Sequence, residues 1–305
     1  MIILFKINTP ACAGVFIVKN YLTKENIMEK QTAKPYVISE ELDLSGIYTQ
    51  QINLKNLDVF RANLDADLKA MGKNTLWVSS AALNSGLARM VDTTNVPVVS
   101  LDDRYVKLAD QYFGVSRGVD ETLNDVGYVP RANYASIQSQ LDSIPKLGRE
   151  VVLADDVLFS GEMMEWLISE LAARNVKVGG VVCGIAMGEG VARLGENNIS
   201  VEACEVFEDV EDEICERDFA IVSGSGRRID SLNANALYFD SNNGKPQQWA
   251  CIPPEAVDDF YKNGLIRSAS LLQEDVRMES IGNFLGYNNS GNAKREILQQ
   301  LEVRL

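Results

Sequence analysis

The 305-residue chain contains no histidine. Ser-His-Asp and Cys-His nucleophile systems are therefore excluded, and so are His-ligated zinc enzymes. Any catalysis must use carboxylates, lysine, tyrosine, backbone amides or an oxygen-ligated metal. Cysteine is scarce: Cys12, Cys183, Cys204, Cys215 and Cys251 are odd in number, widely spaced and free of any C-x-x-C. That argues against a disulfide framework or a zinc site and for a reducing compartment, here the cytoplasm. No segment reaches the ~20 apolar residues needed to span a membrane, so no membrane association is expected. Basic charge is in deficit, with 29 Lys+Arg against 43 Asp+Glu and a formal net charge of −14. Such a chain repels phosphodiester backbones, and generic nucleic-acid binding is not expected. A small phosphorylated ligand stays open, because local amides and a metal ion outweigh the global field.

What is present is an ordinary globular composition, 46% apolar and 24% charged. Met1 to Val18 is apolar-rich, but Lys6, Asn8 and Pro10 interrupt it and no basic segment precedes it, a poor export signal. Residues 1–34 read as a disordered extension or a start set too early, with Met28 opening a polar stretch. A folded α/β domain is expected over 35–240, and a mainly helical addition or hood over 241–305.

Within the domain, Leu57, Phe60, Leu64, Leu68 and Met71 carry a helical spacing that Gly72 ends. Thr75 to Ser79 reads as a buried strand, Ser80 to Ser85 as a small-residue loop, Gly86 to Val91 as a helix and Val96 to Leu101 as a strand. Tyr105 to Gln140 is long and polar, with helical stretches expected at Asp120–Asp125 and Ser136–Leu141. Strands follow at Glu150–Ala154, Val178–Ile185, Val201–Val206 and Phe219–Val222, with helices at Ser160–Arg174 and Val191–Glu196 between them. Beyond Asp240, helices are expected at Pro254–Asn263 and Ala293–Leu301. The alternation predicts a three-layer α/β fold with a mostly parallel central sheet, helices on both faces, and N- and C-terminal additions.

One segment carries chemistry. Val151 to Ala154 is apolar throughout, as in a strand covered on both faces. Asp155 and Asp156 close it, Val157 to Gly161 form a short loop, and Met163, Met164, Leu167, Ile168 and Leu171 give the next helix a buried stripe. Ligands of open α/β sheets bind at the carboxyl ends of strands. Paired carboxylates there accept hydrogen bonds from a diol or sit near a hydrated Mg²⁺. A helix N-terminus with Ser160 and Gly161 suits a phosphate monoester. A diol at the acids and a phosphate at the helix end describe a ribose 5-phosphate.

The stretch Val151-Val-Leu-Ala-Asp-Asp-Val-Leu-Phe-Ser-Gly-Glu-Met163 resembles the binding motif for 5-phosphoribosyl-1-pyrophosphate (PRPP) of type I phosphoribosyltransferases. The resemblance spans roughly Leu76 to Arg228. It implies that Asp155 and Asp156 hold the ribose hydroxyls and, through these or water, stand near Mg²⁺. It implies that Phe159, Ser160, Gly161, Glu162 and Met163, after Val157 and Leu158, cradle the 5-phosphate. Three departures stand out: Met163 replaces a usual hydroxyl residue, Glu162 brings a negative charge to the loop, and Phe159 stands where some purine enzymes carry an acidic base.

By the same resemblance, Ser80, Ala81, Ala82 and Leu83 would form the pyrophosphate loop. Arg117 and Arg131 would belong to the loop that covers PRPP. Arg217, in Glu216-Arg-Asp-Phe219, would face pyrophosphate after the acidic run Glu208–Glu213. Tyr128, Tyr134, Trp249 and Phe219 are candidate stacking surfaces. The implied activity is Mg²⁺-assisted phosphoribosyl transfer from PRPP to a nitrogen acceptor with release of pyrophosphate. The alternative is a non-catalytic PRPP- or nucleotide-binding regulatory protein. Small-molecule partners are expected, PRPP and an unidentified acceptor, with room for a homodimer.

Overall fold

The computed structural model describes residues 33–44, 52–107, 109–222, 224–232 and 234–271. The expected extension up to residue 32 and the helix expected at Ala293–Leu301 lie outside them. In chain order the elements are β1 (Pro35–Ser39), α1 (Leu57–Ala70), β2 (Asn74–Val78), α2 (Ser80–Asp92), β3 (Val98–Ser100), β4 (Gln111–Tyr112), β5 (Val115–Val119), β6 (Asp125–Pro130) and α3 (Ile137–Leu141). They continue with β7 (Glu150–Leu158), α4 (Glu162–Ala172), β8 (Lys177–Met187), α5 (Gly188–Glu196), β9 (Val201–Phe207), β10 (Asp212–Cys215), β11 (Arg227–Ile229), β12 (Ala234–Ala236), α6 (Pro246–Trp249) and α7 (Val257–Leu271).

The apolar run of β7 forms the middle of a parallel five-stranded sheet in the order β4-β3-β7-β8-β9. The strand pleat sends Val151 and Leu153 into one core with Leu167 and Leu171 of α4, and Ala154 into another with Leu83 and Leu87 of α2. Helices thus cover both faces, as the βα alternation required, and the fold is α/β with a parallel central sheet. Two smaller sheets lie beside it: a parallel one, β10-β1-β2, and a mixed one, β12-β11-β5-β6. Helices α1 and α7 pack on the first, burying Phe60, Leu64, Phe260 and Leu265 against Tyr36 and Ile38.

Five local expectations are corrected. Ser80 to Ser85 is no loop, because the Ser79 hydroxyl accepts the Ala82 amide at 3.2 Å and caps α2, which begins at Ser80. Asp120 to Asp125 is no helix: the Asp120 carboxylate accepts the Thr122 and Asn124 amides at 2.8 and 2.9 Å and turns the β5–β6 hairpin. Phe219 to Val222 is no strand. Its apolar side chains are buried by helix α7, with Phe219 edge-on to Phe260 at 5.7 Å and the Ile221 amide donating to Ser268 Oγ at 3.2 Å. Strand β2 is not buried throughout, since it is an edge strand that leaves Leu76 39% exposed. Strand β7 also runs on to Leu158, which shortens the expected loop to Phe159–Gly161.

Candidate functional site

The carboxyl rim of the central sheet opens into a cavity of about 900 Å³. Of the motif, Asp156, Val157, Phe159 and Met163 line it. Strand β7 can carry Asp156 there because β8 has Gly184 beneath it, where a Cβ would stand 2.7 Å from the Asp156 carbonyl oxygen. Asp155 points into the protein instead and is buried. Burial, the Asp156 charge and a hydrogen bond with the Asp156 carboxyl each push Asp155 well above the usual carboxylate range. The Asp156 carboxylate also accepts the Val157 amide at 2.9 Å.

Gly161, at φ +79°, makes the turn into α4. The loop is held from the α5 side, where Arg193 Nε donates to the Ser160 carbonyl at 2.7 Å. Glu162 lies 3.8 Å from Arg193, which draws its charge outward from the loop. Ser160, Gly161 and Glu162 do not line the cavity, nor do Leu158 and Asp155.

Arg117, Arg131 and Arg217, far apart in sequence, all line this one cavity. Arg131 is fixed by Nε donating to the Val115 carbonyl at 2.9 Å, with its Nη1 3.6 Å from Asp103. Tyr134 donates to the same Asp103 at 2.9 Å and also lines the cavity. Ser80, Ala81, Ala82 and Leu83 are not brought to it: they form the first turn of α2, with Leu83 in the core. Among the aromatic candidates, Trp249 lines the cavity, whereas Phe219 is core and Tyr128 stacks on Trp166 at 4.7 Å.

Residues that sequence reasoning missed complete the walls. Arg104 follows β3, next to Asp102, whose carboxylate accepts the Arg104 and Tyr105 amides at 3.1 and 2.6 Å. Burial and the Asp156 charge push Asp102 up to about 6. The position just past a strand's carboxyl end could have flagged Arg104. Arg227 of β11 lies over the Trp249 ring at 4.6 Å, and its buried Nε has no hydrogen-bond partner. Glu213 of β10 faces the cavity and accepts from Ser39 Oγ at 2.8 Å. Burial, with the Asp156, Asp212 and Asp218 charges, pushes it up to about 8. Glu213 is the last residue of the acidic run Glu208–Glu213, but that run does not single it out, and Arg227 carries no local signal, because both reach the cavity through long-range strand pairing.

An α/β protein with a polar, arginine-lined cavity at the carboxyl rim of a parallel sheet is the class that fold and site define. No family model matches the chain, and no curated protein matches it. Solved structures do. An adenine phosphoribosyltransferase from Giardia lamblia, complexed with 9-deazaadenine, is similar at 12% identity over 43% of this chain and 80% of that one, with a TM-score of 0.31. An orotate phosphoribosyltransferase from Aeropyrum pernix is similar at 14% identity over 51% of this chain and 75% of that one, TM-score 0.27. UMP synthase from Leishmania donovani is similar at 12% identity over 42% of this chain, TM-score 0.27, and only 27% of its own length is spanned.

Proposed function

We propose that this cavity binds PRPP with Mg²⁺ and that the chain transfers its phosphoribosyl group to a nitrogen acceptor, releasing pyrophosphate. The observation that carries the reading is the convergence of the motif residues Asp156, Phe159 and Met163 with Arg117, Arg131 and Arg217 on one cavity. Asp156 accepts the ribose hydroxyls. The first-turn amides of α4, with Glu162 drawn toward Arg193, receive the 5-phosphate. As the C1–O bond to pyrophosphate breaks, C1 gains positive character and the guanidiniums stabilise the departing anion. Glu213, protonated up to about 8, is placed to hold or release a proton at the cavity wall.

Mg²⁺ fits this donor set. Among the described residues no cluster of three metal-ligating side chains exists. Mg²⁺ keeps several waters and takes one or two carboxylates together with substrate phosphates, so Asp156 and the ligand's oxygens suffice. When bound it would supply charge neutralisation on the pyrophosphate.

Met163 motivates a second reading, a PRPP-binding regulatory protein, because a thioether lines the cavity where the resemblance places a hydroxyl donor. Calorimetric titration with PRPP, with and without Mg²⁺, tests both. Saturable Mg²⁺-dependent binding supports the site, and pyrophosphate release with any nucleobase or amine acceptor selects the enzyme. Absence of binding in both conditions rejects both readings.

A further inference from the structure

Behind the cavity lies a carboxylate that does not line it. Glu41 is 0% exposed, and both of its oxygens accept from Arg217 Nη1, at 2.8 and 2.7 Å. Arg104 Nε stands 2.9 Å from Oε1, and the Cys215 thiol 3.1 Å from Oε2. Both arginines line the cavity, with side chains 13% and 11% exposed. A second buried carboxylate fixes the backbone of Glu41. Glu216 accepts the Glu41 and Leu42 amides at 2.8 and 2.7 Å, and Arg61 holds it through two bonds of 2.8 Å each.

We infer that Glu41 is a positioning residue that locks Arg104 and Arg217 into one rigid anion clamp, and that this clamp holds the diphosphate end of PRPP. The inference rests on the function proposed above. Glu41 holds both guanidiniums from behind, Asp218 Oδ1 stands 3.6 Å from Arg217 Nε, and both arginines line the cavity. Long arginine side chains lose much rotamer freedom when a ligand orders them, and a buried carboxylate that orders them beforehand removes that cost. The placement suits a diphosphate. Arg104 follows β3, which is the neighbour of β7 in the sheet, with Ser100 opposite Ala154. The 5-phosphate loop leans the other way, toward α5 through Arg193. A ligand seated on that loop and on Asp156 therefore extends its other end toward Arg104. Gly224, at φ +81°, closes the outer edge of the clamp, since a Cβ there would stand 2.5 Å from Arg104 Nη2.

The test is calorimetric titration with inorganic pyrophosphate and, separately, ribose 5-phosphate. The proteins are the wild type, Glu41→Gln, the pair Arg104→Gln with Arg217→Gln, and the triple variant. Glu41→Gln is expected to weaken pyrophosphate about tenfold or more and ribose 5-phosphate less than about twofold, the scale of a lost charged hydrogen bond. In the double-arginine background it should weaken pyrophosphate no further. Equal losses for both ligands, or a loss that persists without the arginines, would mean that Glu41 merely holds the fold, and would overturn the inference. Should Glu41→Gln fail to fold, Gly224→Ala crowds Arg104 directly, and an unchanged pyrophosphate affinity there overturns the clamp. A wild type that binds neither ligand overturns the proposed function, and the clamp with it. A wild type that binds both, beside a Glu41→Gln variant of equal affinities, overturns the clamp alone.

Discussion

Asp155 is buried while its neighbour Asp156 lines the cavity, and that divides the labour between them. The pair itself is readable from sequence. The division is not, because it depends on which face of β7 lies over the cavity. Asp156 alone reaches cavity space, so Asp156→Asn should weaken Mg²⁺-dependent PRPP binding on the order of 10²-fold, as loss of charged hydrogen bonds to a diol requires. Titration of the variant checks this, and wild-type affinity would remove Asp156 from the site. Glu213 gives a pH signature. Folded, it keeps its proton up to about 8; unfolded, a glutamate releases it near ~4.3. The folded state binds more protons across that window, so stability contributed here is full below it and is lost as pH rises through it. Glu213→Gln, which mimics the protonated form, should flatten this fall. Urea unfolding of both proteins at about pH 5 and about pH 8 measures the difference, and parallel curves would refute the burial argument.

Elements with a clear period were legible: α1 through its apolar stripe, β7 and β8 through their apolar runs. Elements decided by a single competing hydrogen bond or by an unseen neighbour were not. The Ser79 cap turned an expected loop into helix, and the Asp120 carboxylate turned an expected helix into a hairpin. Phe219 to Val222 has a strand's composition but is buried by α7 rather than by strand pairing. The junction of α5 with the phosphate loop is likewise tertiary. A Cβ at Gly190 would overlap the Phe159 carbonyl oxygen, so backbone must shift to admit it. Gly190→Ala should cost about 1–3 kcal/mol of stability, the usual scale of overpacking. Because the displaced backbone belongs to the phosphate loop, ribose 5-phosphate binding should fall more than pyrophosphate binding. Thermal unfolding and the two titrations check both halves, and equal losses would detach the loop from the 5-phosphate.

At the scale of the molecule, the sequence divides a domain at 35–240 from an addition at 241–305, whereas the described residues all belong to one compact unit. Composition changes after Asp240, which is what a sequence can register. It cannot register that α7 closes a core begun far upstream: Val257, Phe260, Tyr261 and Leu265 are buried with Tyr36, Ile38, Phe60 and Leu64 from the first part of the domain. The Asn53 amide also donates to the Leu271 carbonyl at 2.7 Å. The same segment brings Trp249 under Arg227 at the cavity wall, so fold and site share it. A chain ending at Asp240 should therefore lose more than acceptor binding. Each large apolar side chain left without its partners forfeits roughly 1.5–3 kcal/mol, and several such losses match the ~5–15 kcal/mol that holds a domain together. The truncated chain should show no cooperative thermal transition by circular dichroism and no PRPP binding. A sharp transition with PRPP binding retained would instead establish residues 35–240 as a domain in their own right, and would leave the C-terminal segment a separable cover over the acceptor side of the cavity.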